Sequence, residues 1–293
     1  MEPRPIADLL PPAGQHLVVL DAGLFVKRDE QWRRLRSDIS IDSLLRRPLD
    51  EIQRALDRDA DPVDPPLAAE LRAPIGSQEV WAAGVTYQRS LVARAEEAVS
   101  ADPYERVYSA ARPELFLKAT PARVRGPLQA VNIRSDSTWD VPEPELAVVC
   151  NQRLEVVGYT IGNDVSSRSI EGENPLYVPQ AKVFDACCAL GPAIALAWDY
   201  SPEAREIRVE IRRGDSAIYS GETSTSAMHR TIRDLIDYLG RNQTFEAGCI
   251  LLTGTGLVPP RDITLEDGDV VSIRIEGIGV LVNPVQRAPG RTA

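Results

Sequence analysis

Two acidic side chains stand two positions apart in the stretch STWDVPEPELAVV, residues 137–149, which is otherwise strand-like and apolar. Because alternate side chains of a strand point to opposite faces, Glu143 and Glu145 share one face. Carboxylates held that close repel each other, and burying either without a partner costs several kcal/mol. A divalent cation would turn that repulsion into shared attraction. A solvated strand face with two ordinary glutamates is the alternative, and the pair by itself leaves both interpretations open.

Two further charged residues follow at positions where they could take part in chemistry. Asp164 ends the apolar run VVGYTIGND, where a loop should begin, although an Asn-Asp pair can also simply form a turn. Lys182 stands alone among apolar neighbours in PLYVPQAKVFDACC. A lysine in that setting either extends its ammonium to the surface or serves as a functional amine. The sequence around each residue leaves both interpretations open.

Composition excludes several classes of function. The 293-residue chain has a net charge of −10 and no lysine- or arginine-rich block, which argues against partners such as nucleic acid or anionic membranes. No apolar run approaches the roughly 20 residues needed to span a bilayer, and the N-terminus lacks the pattern of an export signal. The four cysteines show no CxxC spacing and suit a reducing cytoplasm. With only two histidines, a metal would be held by carboxylates, which favours magnesium, calcium or manganese.

The N-terminal part of the chain predicts a small α/β domain. Residues 16–35 predict two short strands around a turn. Residues 40–59 predict a helix whose apolar face is formed by Leu45, Leu49, Ile52 and Leu56. The acidic, proline-rich stretch 59–66 predicts a linker. We therefore expect a small domain over residues 1–66 and a larger catalytic domain over residues 67–293.

The larger domain is expected to consist mainly of strands. Residues 79–87 begin with a strand, residues 206–221 predict a hairpin with Gly-Asp at its turn, and residues 270–285 predict two further strands. Helices are predicted within residues 90–99 and 231–240. The expected fold class is therefore α+β with a majority of strands.

Seven segments, in this order and spacing, resemble the fumarylacetoacetate hydrolase superfamily from about residue 74 to residue 286. They are APIGSQEVWAAGVTY, PELFLKA, EPELAVV, GYTIGNDVSSRS, AKVFDACCALGP, LLTGTG and LEDGDVVSIRIEGIGVLVNPV. The resemblance implies a mixed β-sandwich roll and magnesium or calcium, with manganese also possible, held by Glu143, Glu145 and Asp164. It also implies that Lys182 faces the metal-bound substrate. Strand alternation itself indicates only that the two glutamates can converge.

One motif departs from the pattern typical of the hydrolases. Those members usually carry NYxxH, in which the histidine, paired with a glutamate, activates water for carbon–carbon bond hydrolysis. Here the segment is TYQRS, so that Tyr87 is kept and Ser90 stands in place of the histidine. Serine cannot act as a general base near neutral pH without a neighbouring base. His16 and His229 lie far from this segment in the sequence, and we interpret both as structural.

A subset of the superfamily, the 2-keto-3-deoxy-pentonate dehydratases, resembles this chain at the altered motif. The TYxRSxxAR-like segment covers residues 86–94, and the PELF-type segment covers residues 113–118. The resemblance implies a 2-keto acid substrate that chelates magnesium, with the metal acting as a Lewis acid. Lys182 is then the expected base that removes a C3 proton, provided burial and the metal favour its neutral amine. Glu114 is the expected acid for the departing C4 hydroxyl, and an exposed carboxylate before an apolar strand is its alternative interpretation.

Other residues are expected to support this chemistry. Arg89, Ser90 and Thr255 are candidate contacts for the substrate carboxylate and hydroxyls, because Arg89 can donate two parallel hydrogen bonds and Thr255 lies in a glycine-rich turn. Arg168 matches a superfamily arginine that orients metal ligands. Tyr87 matches the tyrosine of the NYxxH pattern and is expected to be a supporting residue. A homodimer or homotetramer is also expected. Two alternatives stay open: a hydrolase or decarboxylase of a β-diketo or oxalo acid, and a non-catalytic binding module.

Overall fold

The computed structural model describes residues 5–58, 60–90, 92 and 102–290, and most of its regular elements are strands. Eleven strands form one mixed sheet in the order β4-β3-β2-β1-β13-β11-β10-β16-β5-β6, with β7 paired to β13. Five strands form a second sheet in the order β15-β14-β17-β18-β8, and β9 pairs with β12. This predominance of strands confirms the predicted mostly-β class.

The strand bounds are β1 (Gln15–Leu20), β2 (Gly23–Arg28), β3 (Gln31–Leu35), β4 (Ala60–Val63), β5 (Glu79–Gly84), β6 (Glu114–Ala119), β7 (Val124–Arg125), β8 (Val131–Ile133), β9 (Asp140–Val141), β10 (Pro144–Cys150), β11 (Val156–Asp164), β12 (Ser166–Ser167), β13 (Cys188–Leu196), β14 (Glu206–Arg213), β15 (Ser216–Ser224), β16 (Cys249–Leu252), β17 (Val270–Ile275) and β18 (Gly279–Arg287). The helices are α1 (Ile41–Leu45), α2 (Leu49–Arg58), α3 (Asp102–Ser109), α4 (Arg168–Glu173), α5 (Val178–Lys182) and α6 (Ile232–Leu239). Among the described residues, none of these helices is long and apolar enough to cross a membrane.

Both faces of the large sheet are buried at its centre. Along β10, Leu146 and Val148 belong to a core shared with the five-stranded sheet, whereas Ala147 and Val149 belong to a core shared with α1 and α2. Every residue of β10 is therefore buried. Alternation along β10 assigns Glu145 to the face of Ala147 and Val149, so that a charged side chain begins within a layer that is otherwise apolar.

The predicted helical segment 40–59 forms α1 and α2, which Pro48 separates. Ser40 caps α1 by accepting a hydrogen bond from the Ser43 N–H, and Ile52 and Leu56 of α2 are buried. The predicted hairpin 206–221, the helix within 231–240 and the two C-terminal strands are also confirmed. The helix predicted within residues 90–99 lies almost entirely outside the described residues.

Two details of the N-terminal prediction were wrong. Residues 16–35 lie within three strands rather than two, because the chain turns again between β2 and β3. Part of the predicted linker 59–66 forms β4, which pairs with β3. Strand β4 is an edge of the sheet, where Pro62 can lack an N–H without breaking a ladder. Strand β1 pairs with β13, so the first four strands extend the large sheet. The domain boundary after residue 66 stays a prediction.

Candidate metal centre and active site

The structure brings the carboxylates of Glu143, Glu145 and Asp164 together at adjacent ends of β10 and β11. Their ligand oxygens lie within 4.8 Å of one another, and all three residues are buried. The antiparallel register produces this arrangement, because Glu145 pairs with Gly162 and the Asp164 N–H donates to the Glu143 carbonyl at 3.0 Å. The predicted same-face convergence thus occurs, and the end of β11 supplies the third carboxylate.

Lys182 and Arg168 bring positive charge to this cluster. The Lys182 Nζ lies 2.7 Å from Glu143 Oε2 and 3.1 Å from Asp164 Oδ2, and the lysine is 2% exposed. Lys182 ends helix α5, which allows its side chain to reach the strand ends. Arg168 begins α4, and its guanidinium lies 3.3 Å from Glu143 Oε1. Both residues therefore occupy positions consistent with their predicted roles, and those roles stay predictions.

Lys118 is a member of the site that the sequence analysis missed. Its ammonium is fully buried and donates to Asp164 Oδ1 at 2.6 Å, to the Val165 carbonyl at 2.9 Å and to the Lys182 carbonyl. Burial is the largest influence and acts to lower the pKa of Lys118, but the charge of Asp164, its hydrogen bond and the neighbouring thiols of Cys187 and Cys188 together raise that pKa above its usual value. Lys118 is thus held as a cation. A sequence signal existed: the chain has three lysines among 33 basic residues, and two of the three meet here.

Three buried carboxylates in one cluster create an electrostatic cost that a metal would relieve. Burial, followed by the charges of Asp164 and Glu143, raises the pKa of Glu145 well above its usual value. The N–H of Gly254 donates to Glu145 Oε2 at 2.5 Å and orients that carboxylate. An all-oxygen set of two glutamates and one aspartate is the donor set that magnesium and calcium prefer. The residues present therefore fit a hard divalent cation.

A small cavity of ≈ 20 Å³ opens onto the cluster. Of the residues predicted from sequence, Glu114, Ser90, Thr255 and Lys182 line it together with the three carboxylates. Tyr104 and Glu171, which the sequence analysis did not single out, also line it. Both come from helices, α3 and α4, and the sequence does not show that these helices reach the cavity. The cavity thus combines the three-carboxylate cluster, which could hold a metal ion, with further hydroxyl and carboxyl side chains.

The hydroxyls of Ser90 and Thr255 already have backbone partners. The Ser90 hydroxyl donates to the Tyr87 carbonyl at 2.7 Å, and the Thr255 hydroxyl donates to the Leu257 carbonyl at 3.2 Å. Each oxygen also accepts a backbone N–H, Ser90 from Tyr87 and Thr255 from Leu257. These bonds fix the two side chains at the cavity wall, and each oxygen keeps one lone pair that can accept from a ligand. Their contacts with substrate stay a prediction.

Arg89 and Tyr87 differ in their placement. Arg89 is exposed and is not among the residues that line the cavity; its charge lies near Tyr219. As a substrate contact it stays a prediction that requires its side chain to turn inward. Tyr87 is buried, and its hydroxyl has no hydrogen-bond partner among the described residues. Burial, assisted by the charge of Glu145, raises the pKa of Tyr87, which keeps the phenol neutral.

The two histidines occupy structural positions outside the cavity. The ring Nε2 of His16 is 2.9 Å from the Gly277 carbonyl, and burial lowers the pKa of this histidine. The ring of His229 stacks on Tyr108 with ring centroids 4.5 Å apart. Neither residue lines the cavity, although both are described. A histidine base of the hydrolase type is therefore not part of this cavity.

Comparisons with known proteins agree with this geometry. A family model described as the fumarylacetoacetate hydrolase C-terminal domain matches residues 79–286. The chain is 49% identical over 245 residues to a probable 2-keto-3-deoxyxylonate dehydratase of Haloferax volcanii, covering 83% of this chain and 84% of that protein. It is 44% identical over 219 residues to a 2-dehydro-3-deoxy-D-arabinonate dehydratase of Saccharolobus solfataricus, covering 73% of this chain and 74% of that protein.

A solved structure extends the comparison to the fold. It is a 2-keto-3-deoxy-D-arabinonate dehydratase complexed with magnesium and 2,5-dioxopentanoate. It aligns with a TM-score of 0.81 at 34% identity over 94% of this chain and 99% of that one. The predicted fold type is thereby confirmed.

Proposed function

The chain belongs to the fumarylacetoacetate hydrolase family, and we propose that it is a magnesium-dependent dehydratase that converts a 2-keto-3-deoxy-pentonate to 2,5-dioxopentanoate. The observation that carries the proposal is the content of the cavity. Three buried carboxylates and the Lys182 amine face it, whereas Ser90 occupies the position of the hydrolytic histidine and neither histidine of the chain lines it. This set suits proton abstraction and elimination, which need no activated water.

Glu143, Glu145 and Asp164 would hold the magnesium ion. When bound, the ion supplies Lewis-acid stabilisation of negative charge on a 2-keto acid that has lost its C3 proton. Lys118 keeps Asp164 in place and Arg168 keeps Glu143 in place, through the contacts at 2.6 Å and 3.3 Å. These two cations let three carboxylates converge without a large net charge in the buried site.

Lys182 takes the C3 proton in this proposal. Its nitrogen lies at the carboxylate cluster and also lines the cavity, so a bound 2-keto acid would meet it directly. Removal of the C3 proton and cleavage of the C4–O bond leave a C3–C4 double bond and release water. A proton shift from C5 to C3, followed by ketonisation of the C5 enol, then gives the 2,5-dioxo product. Lys182 is also placed to return the proton to C3.

Glu114 donates the proton that the departing C4 hydroxyl needs. It begins strand β6 and lines the cavity beside Gly84 of β5, with which it pairs. A Cβ at Gly84 would collide with the Glu114 carboxylate, so glycine makes room for that side chain. Ser90 and Thr255 contact the substrate from the same cavity, and Arg89 contacts its carboxylate after turning inward. Tyr87 supports the segment that carries Ser90.

The deciding experiment offers several substrates to one preparation of the protein with magnesium. We expect dehydration of at least one stereoisomer of 2-keto-3-deoxy-pentonate, loss of that activity with a chelator, and poor cleavage of acylpyruvates and oxaloacetate. A positioned general base contributes about 10²–10⁴-fold in rate, and Ser90 cannot supply it for water. Efficient acylpyruvate cleavage without dehydration of any pentonate would favour the hydrolase alternative. Absence of every reaction, with magnesium still bound, would favour a binding module.

We further propose that the enzyme acts in the cytoplasm as a homodimer or homotetramer in pentose catabolism. The four cysteines are all free and buried, and burial raises the pKa of Cys188 well above its usual value. These thiols suit a reducing compartment. Light scattering coupled to size-exclusion chromatography tests the oligomer, because a mass near 32.2 kDa would identify a monomer.

A further inference from the structure

A short segment outside the cavity contacts both elements that bring Ser90 and Tyr104 to its wall. This segment, residues 228–230, is called the clasp. On one side, the His229 N–H donates to the Thr86 carbonyl at 2.8 Å, and Met228 forms an isolated β-bridge with Tyr87. Those contacts hold Thr86 and Tyr87, at the start of the segment 86–90 that ends at Ser90.

On its other side, the clasp holds the C-terminal end of helix α3. The Arg230 guanidinium donates to the carbonyls of Val107 at 2.8 Å, Ala110 at 2.7 Å and Ala111 at 3.4 Å. The last carbonyls of a helix have no partner within the helix, and a cation there also complements the helix dipole. Arg230 thus caps α3 from a position about 120 residues further along the chain.

The clasp also fixes the rotation of α3. The His229 ring stacks on Tyr108 with centroids 4.5 Å apart and an angle of 22° between the rings. Tyr108 lies four residues after Tyr104, so the two side chains share one face of the helix. Tyr104 is 5% exposed and lines the cavity. The contacts that Arg230 and His229 make with α3 therefore contribute to the position of Tyr104.

The segment that the clasp holds is itself connected to the metal cluster. The Thr86 hydroxyl donates to the Thr253 carbonyl at 2.6 Å, and the next residue, Gly254, donates its N–H to Glu145. A Cβ at Gly254 would collide with the Thr86 hydroxyl, so these two segments are packed directly against each other. The clasp is therefore linked through hydrogen bonds to both sides of the cavity.

We propose that Arg230 is a positioning residue for substrate binding, which acts by holding α3 so that Tyr104 forms the cavity wall. The inference rests on the proposed function, because it assigns the α3 wall to binding of a 2-keto acid. Arg230 lies outside the cavity lining and does not touch substrate. Its removal should weaken binding of the 2-keto acid and leave metal binding unchanged.

The test compares Arg230→Gln and Arg230→Lys with the wild-type protein. The control is Arg233→Gln, since Arg233 is 88% exposed and lies 3.7 Å from Asp237. The probe is 2-oxopentanoate, which has no C4 leaving group, titrated by calorimetry in the presence of magnesium. We expect Arg230→Gln to raise the Kd about tenfold, equivalent to about 1.4 kcal/mol. The Kd of Arg230→Lys should lie between those of the wild-type protein and Arg230→Gln, because an ammonium cannot span three carbonyls as a planar guanidinium does. Arg233→Gln and the magnesium affinity of all variants should stay within twofold of wild type.

Two further measurements separate positioning from general stability. Amide hydrogen exchange in residues 102–111 should accelerate in Arg230→Gln and not in Arg233→Gln. Adding Tyr104→Ala to Arg230→Gln should raise the Kd less than the product of the two single effects, because both changes remove one wall. Faster exchange with an unchanged Kd, or fully multiplicative effects, would overturn the positioning role. If the wild-type protein does not bind 2-oxopentanoate, the proposed function fails, whereas unchanged exchange in Arg230→Gln would overturn the clasp itself.

Discussion

The two sides of the cavity are built in different ways. The metal side, formed by Glu143, Glu145 and Asp164, lies at strand ends in the middle of the large sheet, where ladder hydrogen bonds set the backbone. The α3 side, which carries Ser90 and Tyr104, is held by the clasp, through the Arg230 guanidinium to carbonyls at the end of α3 and through the His229 N–H to the Thr86 carbonyl. The metal side is also dense in paired charges, with Lys118 and Lys182 buried against the carboxylates.

This difference indicates which side of the cavity must place its atoms more precisely. A cation site needs its oxygens placed within tenths of an ångström, and a buried sheet supplies that rigidity. The substrate end needs shape and hydroxyl contacts, which helices and loops on a rigid scaffold can supply and adjust. Changes on the metal side should therefore abolish chemistry or stability, whereas changes on the α3 side should alter affinity. Arg230→Gln tests the α3 side of that contrast, and four substitutions test the metal side, in order of expected effect.

The largest effect is expected from Glu145→Gln, which removes one of the three ligand carboxylates. Magnesium binding by calorimetry should be lost, and dehydration should fall by at least about 10³-fold, because charge stabilisation at the substrate disappears. Circular dichroism should stay unchanged. Glu222→Gln is the control, because Glu222 is 71% exposed on β15. Wild-type magnesium affinity in Glu145→Gln would show that the metal site is misplaced.

Lys182→Met should remove proton abstraction while metal and substrate still bind. With 2-oxopentanoate in deuterated water, the wild-type protein should exchange the C3 protons, and the variant should exchange about 10²–10⁴-fold more slowly. The readout is deuterium content by NMR, measured at saturating 2-oxopentanoate so that weaker binding cannot imitate lost chemistry. Rapid exchange by the variant would remove Lys182 from the role of base.

Lys118→Met should mainly cost stability. It removes the nearer of the two cations that contact the buried Asp164 carboxylate and leaves only Lys182, and breaking a buried ion pair costs about 3–5 kcal/mol. Lys27→Met is the matched control, since Lys27 is also buried but, among the described residues, its ammonium donates to the carbonyls of Pro11 and Pro12 and to no carboxylate. Its loss should cost about 1–3 kcal/mol.

Denaturant unfolding measures both lysine variants. Magnesium should recover more stability in Lys118→Met than in the wild-type protein, because the metal replaces the missing positive charge beside Asp164. Equal losses in the two variants, with no difference in the magnesium response, would contradict the role assigned to Lys118.

The smallest effect concerns Asp140, which lies in β9 behind the metal side. Burial raises the pKa of Asp140 to about 6 against an unfolded value of 3.8, although hydrogen bonding to Ser137 acts in the other direction. The folded protein thus keeps the proton to higher pH than the unfolded chain, and this group lowers the free energy of unfolding as pH rises from about 4 to about 6. Asp140→Asn should remove this decrease in the free energy of unfolding, because asparagine does not titrate. Its stability relative to wild type should therefore improve between pH 4 and pH 7 in denaturant unfolding, and a pH-independent difference would contradict the assignment.

Much of this organisation could be predicted from the sequence because it depends on local patterns. Alternation within 137–149 indicated a strand with Glu143 and Glu145 on one face, and turn chemistry indicated the hairpin 206–221. Prolines in 59–66 suggested a linker instead of β4, because edge position, which makes Pro62 acceptable, is a property of the whole sheet. Lys118 was missed for the same kind of reason: a single lysine in an apolar strand has no pattern that names its partners.

The sequence by itself determined that Glu143 and Glu145 can converge on one strand face and that a serine stands three positions after Tyr87, since both depend on residue types within short motifs. Only the tertiary structure decided that Lys118 and Lys182 meet at Asp164, 46 and 18 positions away along the chain. It alone also decided that Arg230 caps α3 across 119–123 positions. Such contacts arise when strand order folds distant segments onto one edge of a sheet. Periodicity records the faces of elements and carries no information on which faces will meet.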